Sequence, residues 1–288
     1  MSPQLRTAYW HDPAARRRFQ QFILQIHGLD FARWEQAGYW DDDYSPWSFF
    51  EGDRLLASVC IYTMPAVVQG QACQVAQVSG VGTQPDLRRQ GLNRRLHQQA
   101  LPAALQAHRF AFLYADDEAV PFYRACGFRP VVNHAVRLPM PTDRTQDALV
   151  SVDVDDPAQR DALYRLAQRR APASQEFSTQ TPKLLMFHAL YGQRQQVWRV
   201  PALDCVVMMK REPGRTVVYD VLAERLPRFE ALAPYLGLDG GSTLEFRFVP
   251  DALGAPPGER VPLEGHNVHV MGDFPLGEQP VLPATSQA

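Results

Sequence analysis

Val81-Gly-Thr-Gln-Pro-Asp-Leu-Arg-Arg-Gln-Gly-Leu-Asn-Arg-Arg95 decides how this chain of 288 residues is read. An extended, apolar-rich run ends at Pro85, two arginines and a glycine follow, and a helix opens at Gly91. A strand that feeds a Gly-containing turn into a helix N-terminus gathers free backbone N–H groups where the helix dipole favours negative charge. Arg88 and Arg89 add fixed positive charge in a fork geometry suited to phosphate oxygens. Gly91 lets the backbone approach a bulky pyrophosphate. The stretch therefore predicts a site for a phosphate-bearing cofactor. It excludes a P-loop, because Gly-x-x-x-x-Gly-Lys-Ser/Thr is absent, and a Rossmann turn, because Gly80 and Gly82 stand inside the strand rather than after it.

What remains is Arg88-x-x-Gly91-x-Asn93, preceded by Thr83-x-Pro85. This resembles the pyrophosphate loop of the GCN5-related N-acetyltransferases (GNAT), whose pattern is Gln/Arg-x-x-Gly-x-Gly/Ala; Asn93 stands where that family prefers a small residue. A second match follows about thirty residues on. Residues 111–132 read as a short apolar strand, an acidic start signal, a brief helix, a Gly stop and another strand. Asp117 can cap the helix, Pro121 falls in its first turn and Gly127 ends it. Phe122-Tyr123-Arg124-x-x-Gly127-Phe128 resembles the second acetyltransferase motif, in the right order and at the right separation. Asp116 stands where the family usually has Asn.

The resemblance extends over nearly the whole chain. Gly28-Leu29-Asp30-Phe31, Trp34, Gly38-Tyr-Trp40, Asp43-Tyr44, Pro46, Ser48 and Gly52-Asp53 are similar to a bacterial acetyltransferase subgroup with a second GNAT-like domain and a short Pro-x-x-Ser-x-Ala tail. Here the tail reads Pro283-Ala-Thr-Ser286-Gln-Ala288. The layout also resembles the first two domains of the enhanced-intracellular-survival aminoglycoside acetyltransferases. The implied fold class is α/β: a mixed, mostly antiparallel GNAT sheet with a splayed parallel pair, followed by a degenerate GNAT-like α+β domain. An unrelated α+β cap is the alternative for the second half, which carries neither cofactor motif.

The resemblance implies acetyl-CoA as co-substrate. Val81, Gly82 and Thr83 would pair with pantetheine where a bulge splays two parallel strands, and their N–H groups could steady a developing oxyanion. Arg88, Arg89, Gln90, Gly91, Leu92, Asn93 and Arg94 would cradle the pyrophosphate, whereas Arg95 is expected to cover a surface helix. Asp116, Glu118 and Ala119 would touch the cofactor arm. Tyr123 is the candidate general acid for the leaving thiolate, because a phenol can supply that proton at modest cost; the alternative is a tyrosine packed under the sheet. The strand before the loop offers Gln74, Gln77 and Ser79, none of them a base, so the carboxylate of Ala288 is the candidate base by analogy with the aminoglycoside relatives. The alternative is water delivering the proton to bulk.

The cluster Trp34, Tyr39, Trp40, Asp41, Asp42, Asp43, Tyr44 and Trp47 lies where this fold walls its acceptor site. Trp34, Trp40, Asp43 and Tyr44 are the candidate acceptor-binding residues, since aromatic faces and carboxylates suit a cationic amine; a solvated loop with a few core aromatics is the alternative. The expected activity is transfer of an acetyl group to a primary amine by direct attack in a ternary complex. A longer acyl-CoA, or an acyl-CoA-binding regulatory module without catalysis, are the rival readings.

Composition narrows the field. The chain is 45% hydrophobic and 21% charged with a net charge of −2, which allows a sizeable core and two domains. No basic face stands out, so no nucleic-acid partner is expected. No run of about 18 apolar residues occurs and the first residues lack an apolar signal core, so no membrane partner and a cytoplasmic location are expected. The scattered Cys60, Cys73, Cys126 and Cys205 read as reduced thiols. His266-Asn-Val-His269 has metal-like spacing but no third ligand in sight, so no metal is expected. Self-association into a homo-oligomer is left open.

The pattern along the chain predicts strands over 4–10, 47–50, 55–67, 72–83, 110–115 and 128–138, with helices over 13–27, 31–37, 91–107 and 118–125. Pro139-Met-Pro141-Thr-Asp-Arg-Thr-Gln reads as a linker, dividing a catalytic unit (1–140) from a second unit (148–288). There, strands are expected over 150–154, 197–200, 205–211, 216–222 and 243–249, and helices over 156–170, 183–191 and 227–236.

Overall fold

The computed structural model describes residues 3–139, 149–192, 196–237 and 243–288. Most of the expected linker, and the boundary at 140 and 148, lie outside them.

The chain begins with β1 (Gln4–Thr7) and a 3-10 turn over Tyr9–His11, so the first strand is shorter than the sequence suggests. Helix α1 (Pro13–His27) starts because the Asp12 carboxylate accepts from the N–H groups of Ala14 and Ala15 at 2.9 and 3.1 Å, and it stops at left-handed Gly28. After α2 (Ala32–Gln36), strands β2 (Tyr44–Glu51), β3 (Arg54–Val68) and β4 (Gln71–Thr83) form an antiparallel meander. Next come α3 (Leu92–Ala107), β5 (Phe110–Ala115), α4 (Val120–Ala125) and β6 (Arg129–Pro139). The second half holds β7 (Val150–Ser151), α5 (Pro157–Arg169), β8 (Phe177–Thr179), α6 (Pro182–Phe187) and β9 (Val197–Val200). It continues through β10 (Cys205–Glu212), β11 (Arg215–Leu222), α7 (Phe229–Leu236), β12 (Thr243–Phe246) and β13 (Glu259–Gly272).

All the described strands join one sheet in the order β1-β2-β3-β4-β5-β13-β6-β12-β11-β10-β9-β7, with β8 against β3. It is mixed: β4/β5 and β11/β12 are parallel, and the other neighbours are antiparallel. Phe19, Phe22 and Ile23 of α1, Trp34 of α2 and Leu184 of α6 pack on one face of its first half. Leu92, Leu96 and Leu101 of α3 and Tyr123 of α4 pack on the other. Around the second half, Phe229, Leu232 and Leu236 of α7 build a separate core with Val218 and Phe246.

Two strands escape the sequence pattern. β8 has three residues. β13 carries Pro262 and Gly265 in its middle, and its register shifts between Pro262 and Asn267, so no regular alternation marks it. Yet β13 lies between β5 and β6, and β6 pairs only with β12 and β13 among the described strands. His269, read with His266 as metal-like spacing, is a buried β13 residue whose ring lies 6.4 Å from that of Tyr123.

Candidate active site

Parallel pairing between β4 and β5 lasts for two residues, Ala76 with Ala111 and Gln77 with Phe112, and then the strands part. The cause lies on the other edge of β4. Its register with β3 shifts so that Gly80 and Val81 together face Val59, a bulge that bends the strand. Gly80 takes φ +54°, and a Cβ there would meet the Tyr44 hydroxyl at 2.9 Å and the Cys60 thiol at 3.0 Å. Only glycine fits that bend without strain.

The parted strands open a cleft of about 1060 Å³. Its floor is the start of α3. Arg89 (φ +63°) and Gly91 (φ +77°) are both left-handed, and Gly91 caps α3 with no side chain on the helix N–H groups. Those donors stay open to an anion, with Arg88, Arg89, Gly91 and Arg94 lining the cleft around them. Arg95 turns away and stacks over Phe49 at 4.9 Å. Asn93 sends its amide to the Gly82 carbonyl (2.7 Å) and the Thr83 hydroxyl (2.6 Å), so both its N–H groups tie α3 to the end of β4 instead of facing an anion. Val81, Gly82, Thr83 and Leu92 line the same cleft, as do Asp116, Glu118 and Ala119; Gln90 is exposed on the loop but is not among the lining residues.

Tyr123 also lines it. Burial raises its phenol well above the ordinary value, with Asp116 and Cys126 adding to the shift, so it is fully protonated at neutral pH. Next to it His97 donates from Nδ1 to the Asn93 carbonyl at 2.9 Å, and its burial holds the imidazole neutral. The two rings are 6.0 Å apart.

From the far end of the chain, Gln287 and Ala288 enter the cleft. The Ala288 N–H donates to Gln77 Oε1 at 2.7 Å, so this residue stands where β4 and β5 part. The tail behind it is bolted down. Thr285 donates to Asp220 at 2.7 Å, Leu282 N–H to Asn133 at 2.8 Å, and His188 Nε2 to the Gln287 carbonyl at 2.8 Å. Asp220 is itself held by Arg170 at 2.6 Å, and both are buried; Arg170 further donates to the Thr179 carbonyl at 2.7 Å.

The expected acceptor residues divide. Trp34 and Tyr44 line the cleft. Trp40 is buried against Trp10, Phe19 and Phe31, and Asp43 sits exposed in the loop outside the lining. Asp41 is ion-paired with Lys183. Leu184 and Phe187 of α6 complete the aromatic wall. The sequence carried no sign of them, nor of Asp220, Arg170 and His188, because each reaches the site through a fold-level contact. Gln77, unfit as a base, has its signal only in position: it is the last residue of β4 paired to β5. A second groove of the same volume lies by the β3–β4 turn, with Arg260 already paired to Glu176.

The acetyltransferase (GNAT) domain family matches residues 21–131. No curated protein matches the chain. Among solved structures, a protein of unknown function from Enterococcus faecalis V583, titled a probable N-acyltransferase, is 12% identical with a TM-score of 0.63, over 94% of this chain and 72% of its own. Eis1 from Mycobacterium abscessus is 17% identical with a TM-score of 0.58, over 93% of this chain and 73% of its own. A GCN5-related N-acetyltransferase from Kribbella flavida is 16% identical with a TM-score of 0.52, over 93% and 71%. At these identities the likeness is one of fold, and it spans both halves of the chain. Residues 21–131 thus match a GNAT acetyltransferase domain, and the chain as a whole shares the fold of these solved structures.

Proposed function

We propose that this protein transfers an acetyl group from acetyl-CoA to a primary amine by direct attack in a ternary complex. One observation carries the reading: a single cleft holds the open N-terminus of α3, the parted edge of β4, Tyr123 and Ala288. In this reading residues 1–140 form the catalytic unit, and residues 148–288 form a second GNAT-like unit that supplies β13 and the tail.

Arg88, Arg89 and Arg94, with the α3 N–H groups, would bind the diphosphate of coenzyme A. Among the described residues the β4 edge towards β5 has no strand partner beyond Gln77, so on that side Val81 to Thr83 would offer backbone groups to the pantetheine amides and to the developing oxyanion. Asp116, Glu118 and Ala119 flank the cofactor arm. The Ala288 carboxylate would take a proton from the attacking ammonium, whose nitrogen then adds to the thioester carbonyl. As the tetrahedral adduct collapses, Tyr123 gives its proton to the departing thiolate, the tyrosinate takes the second proton from the added nitrogen to leave the neutral amide, and the Ala288 carboxyl releases its proton to solvent. The raised pKa keeps the phenol protonated until the thiolate departs; because the thiolate is the weaker base, the transfer is completed by the tyrosinate recovering a proton from the nitrogen.

Calorimetry with acetyl-CoA tests the cleft. Binding is expected, weakened about tenfold or more by Arg88→Ala with Arg89→Ala; no binding ends the proposal. A two-glycine extension beyond Ala288 displaces the carboxylate while keeping every tail contact. It should lower kcat by about 10²-fold or more with acetyl-CoA affinity unchanged. Full activity in the extended protein, or a native protein whose intact mass does not end at Ala288, removes that carboxylate from the mechanism.

A further inference from the structure

We infer that the acceptor is a single primary amine on an apolar body of aromatic size, not a polyamine or an aminosugar. This rests on the acyl-transfer reading above and narrows its acceptor.

On the α1, α2 and α6 side, the cleft is walled by Ile26, His27 and Leu29 at and just past the end of α1, Phe31 and Trp34 around α2, and Leu184 and Phe187 of α6. His27 is the one titratable side chain among these, and burial lowers its pKa. The carboxylate side chains among the lining residues are Asp116 and Glu118, which follow β5 on the way into α4; Asp116 is near enough to act on His27 at the end of α1. The acidic run that would suit a polycation is turned elsewhere: Asp41 is spent on Lys183, while Asp42 and Asp43 are exposed outside the lining. A polyamine would press its second and third ammonium groups against hydrocarbon with at most the Asp116 carboxylate nearby, which is costly.

The wall is also rigid. Phe31 and Trp34 meet edge to face at 5.6 Å, Trp34 and Phe187 at 5.6 Å, and Phe31 and Phe187 at 5.8 Å. The Trp34 indole N–H donates to the Lys183 carbonyl at 2.8 Å, which joins α2 to α6 and fixes the ring. A preformed aromatic wall loses little freedom on binding a flat apolar body. At the lip Leu29 stays 45% exposed, apolar surface that such a body would cover. The same wall leaves room for one ammonium over the rings on its way to Ala288.

The test compares amines by thiol release from acetyl-CoA: 2-phenylethylamine and tryptamine against spermidine and kanamycin. The arylalkylamines should show a kcat/KM at least about tenfold higher. Leu29→Asp, at an exposed position, should shrink that preference about tenfold by raising KM for the arylalkylamines with KM for acetyl-CoA unchanged. Equal or better turnover of spermidine or kanamycin overturns this inference and leaves acetyl transfer standing. Acetyl-CoA binding without thiol release to any of the four amines overturns both. An unchanged preference in Leu29→Asp removes the lip from the argument and overturns the assignment of this wall as the acceptor site.

Discussion

The sheet contains two parallel pairs, and they differ in what fills the gap beside them. β4 and β5 pair for two residues and then open into a cleft of about 1060 Å³. β11 and β12 pair from Arg215–Thr243 to Val218–Phe246, and the Arg247 N–H adds a further bond to the Val218 carbonyl at 2.8 Å. Both β4 and β11 carry a bulge against the preceding strand, at Gly80–Val81 and at Tyr219. Beyond the second bulge, however, Arg170, Asp220 and the tail residues Pro283 and Thr285 close in until about 10 Å³ remains. The Ala284 N–H bonds the Arg247 carbonyl at 3.2 Å to seal it. One topology thus occurs twice: its first opening is a wide cleft, and its second is plugged by the peptide whose Ala288 enters the first. The segment before α7 lacks an Arg-x-x-Gly loop, and the gap beside it is filled.

That contrast can be broken from the plugged side. Asp220→Ala leaves the Arg170 guanidinium buried without its counter-charge and frees Thr285; the expected loss is about 3–5 kcal/mol, read by denaturant unfolding. A loss below about 1 kcal/mol would mean that the plug does not depend on this pair. From the open side, Tyr123→Phe should lower kcat by about 10²-fold, or about 2.7 kcal/mol, with acetyl-CoA affinity unchanged; undiminished turnover would make Tyr123 a packing residue only.

Acidification sharpens the comparison, because the tail is held by a histidine that resists protonation. Burial pushes the His188 imidazole down to about 4, against an ordinary value of about 6.5. Between these values the unfolded chain binds more protons than the native one. The contribution is therefore complete above about pH 6.5 and is lost as pH falls towards 4, amounting to on the order of 3 kcal/mol. Unfolding midpoints measured across that window should show the slope, and His188→Gln should flatten it. The smallest effect belongs to Thr285→Val, which removes one bond from Asp220 at about 1 kcal/mol. It should lower kcat without moving KM for acetyl-CoA, and Thr285→Ser should restore it; a parallel loss of both constants would point to general loosening of the fold.

The fold was legible where a local rule fixes it. Asp12, Pro13 and Gly28 mark α1 from end to end, and the Arg88–Gly91 turn marks the start of α3. The phosphate-loop side of the cleft was legible as a place in the fold for the same reason, since its residues are neighbours in sequence. Asn93 shows the limit: a polar residue at a loop position suggests an anion ligand, but its amide closes on Gly82 and Thr83 because β4 ends within reach. The aromatic wall of the cleft was half legible. Trp34 and Tyr44 announce an aromatic wall, but its completion by Leu184 and Phe187 depends on α6 folding back from residues some 140 positions later. β13 stayed hidden because Pro262 and Gly265 interrupt the alternation that marks a strand.

The placement of β13 has a consequence for how the protein is made. β6 has no strand partner among the described residues before 139; both its neighbours come from the last third of the chain. During synthesis at about 5–20 residues per second, roughly 7–27 s pass between the completion of β6 and that of β13. Through that interval the nascent chain carries a bare edge of eleven residues, a template for mispairing. Chaperone protection of the emerging polypeptide, and insolubility of fragments cut after Pro139, follow from that delay.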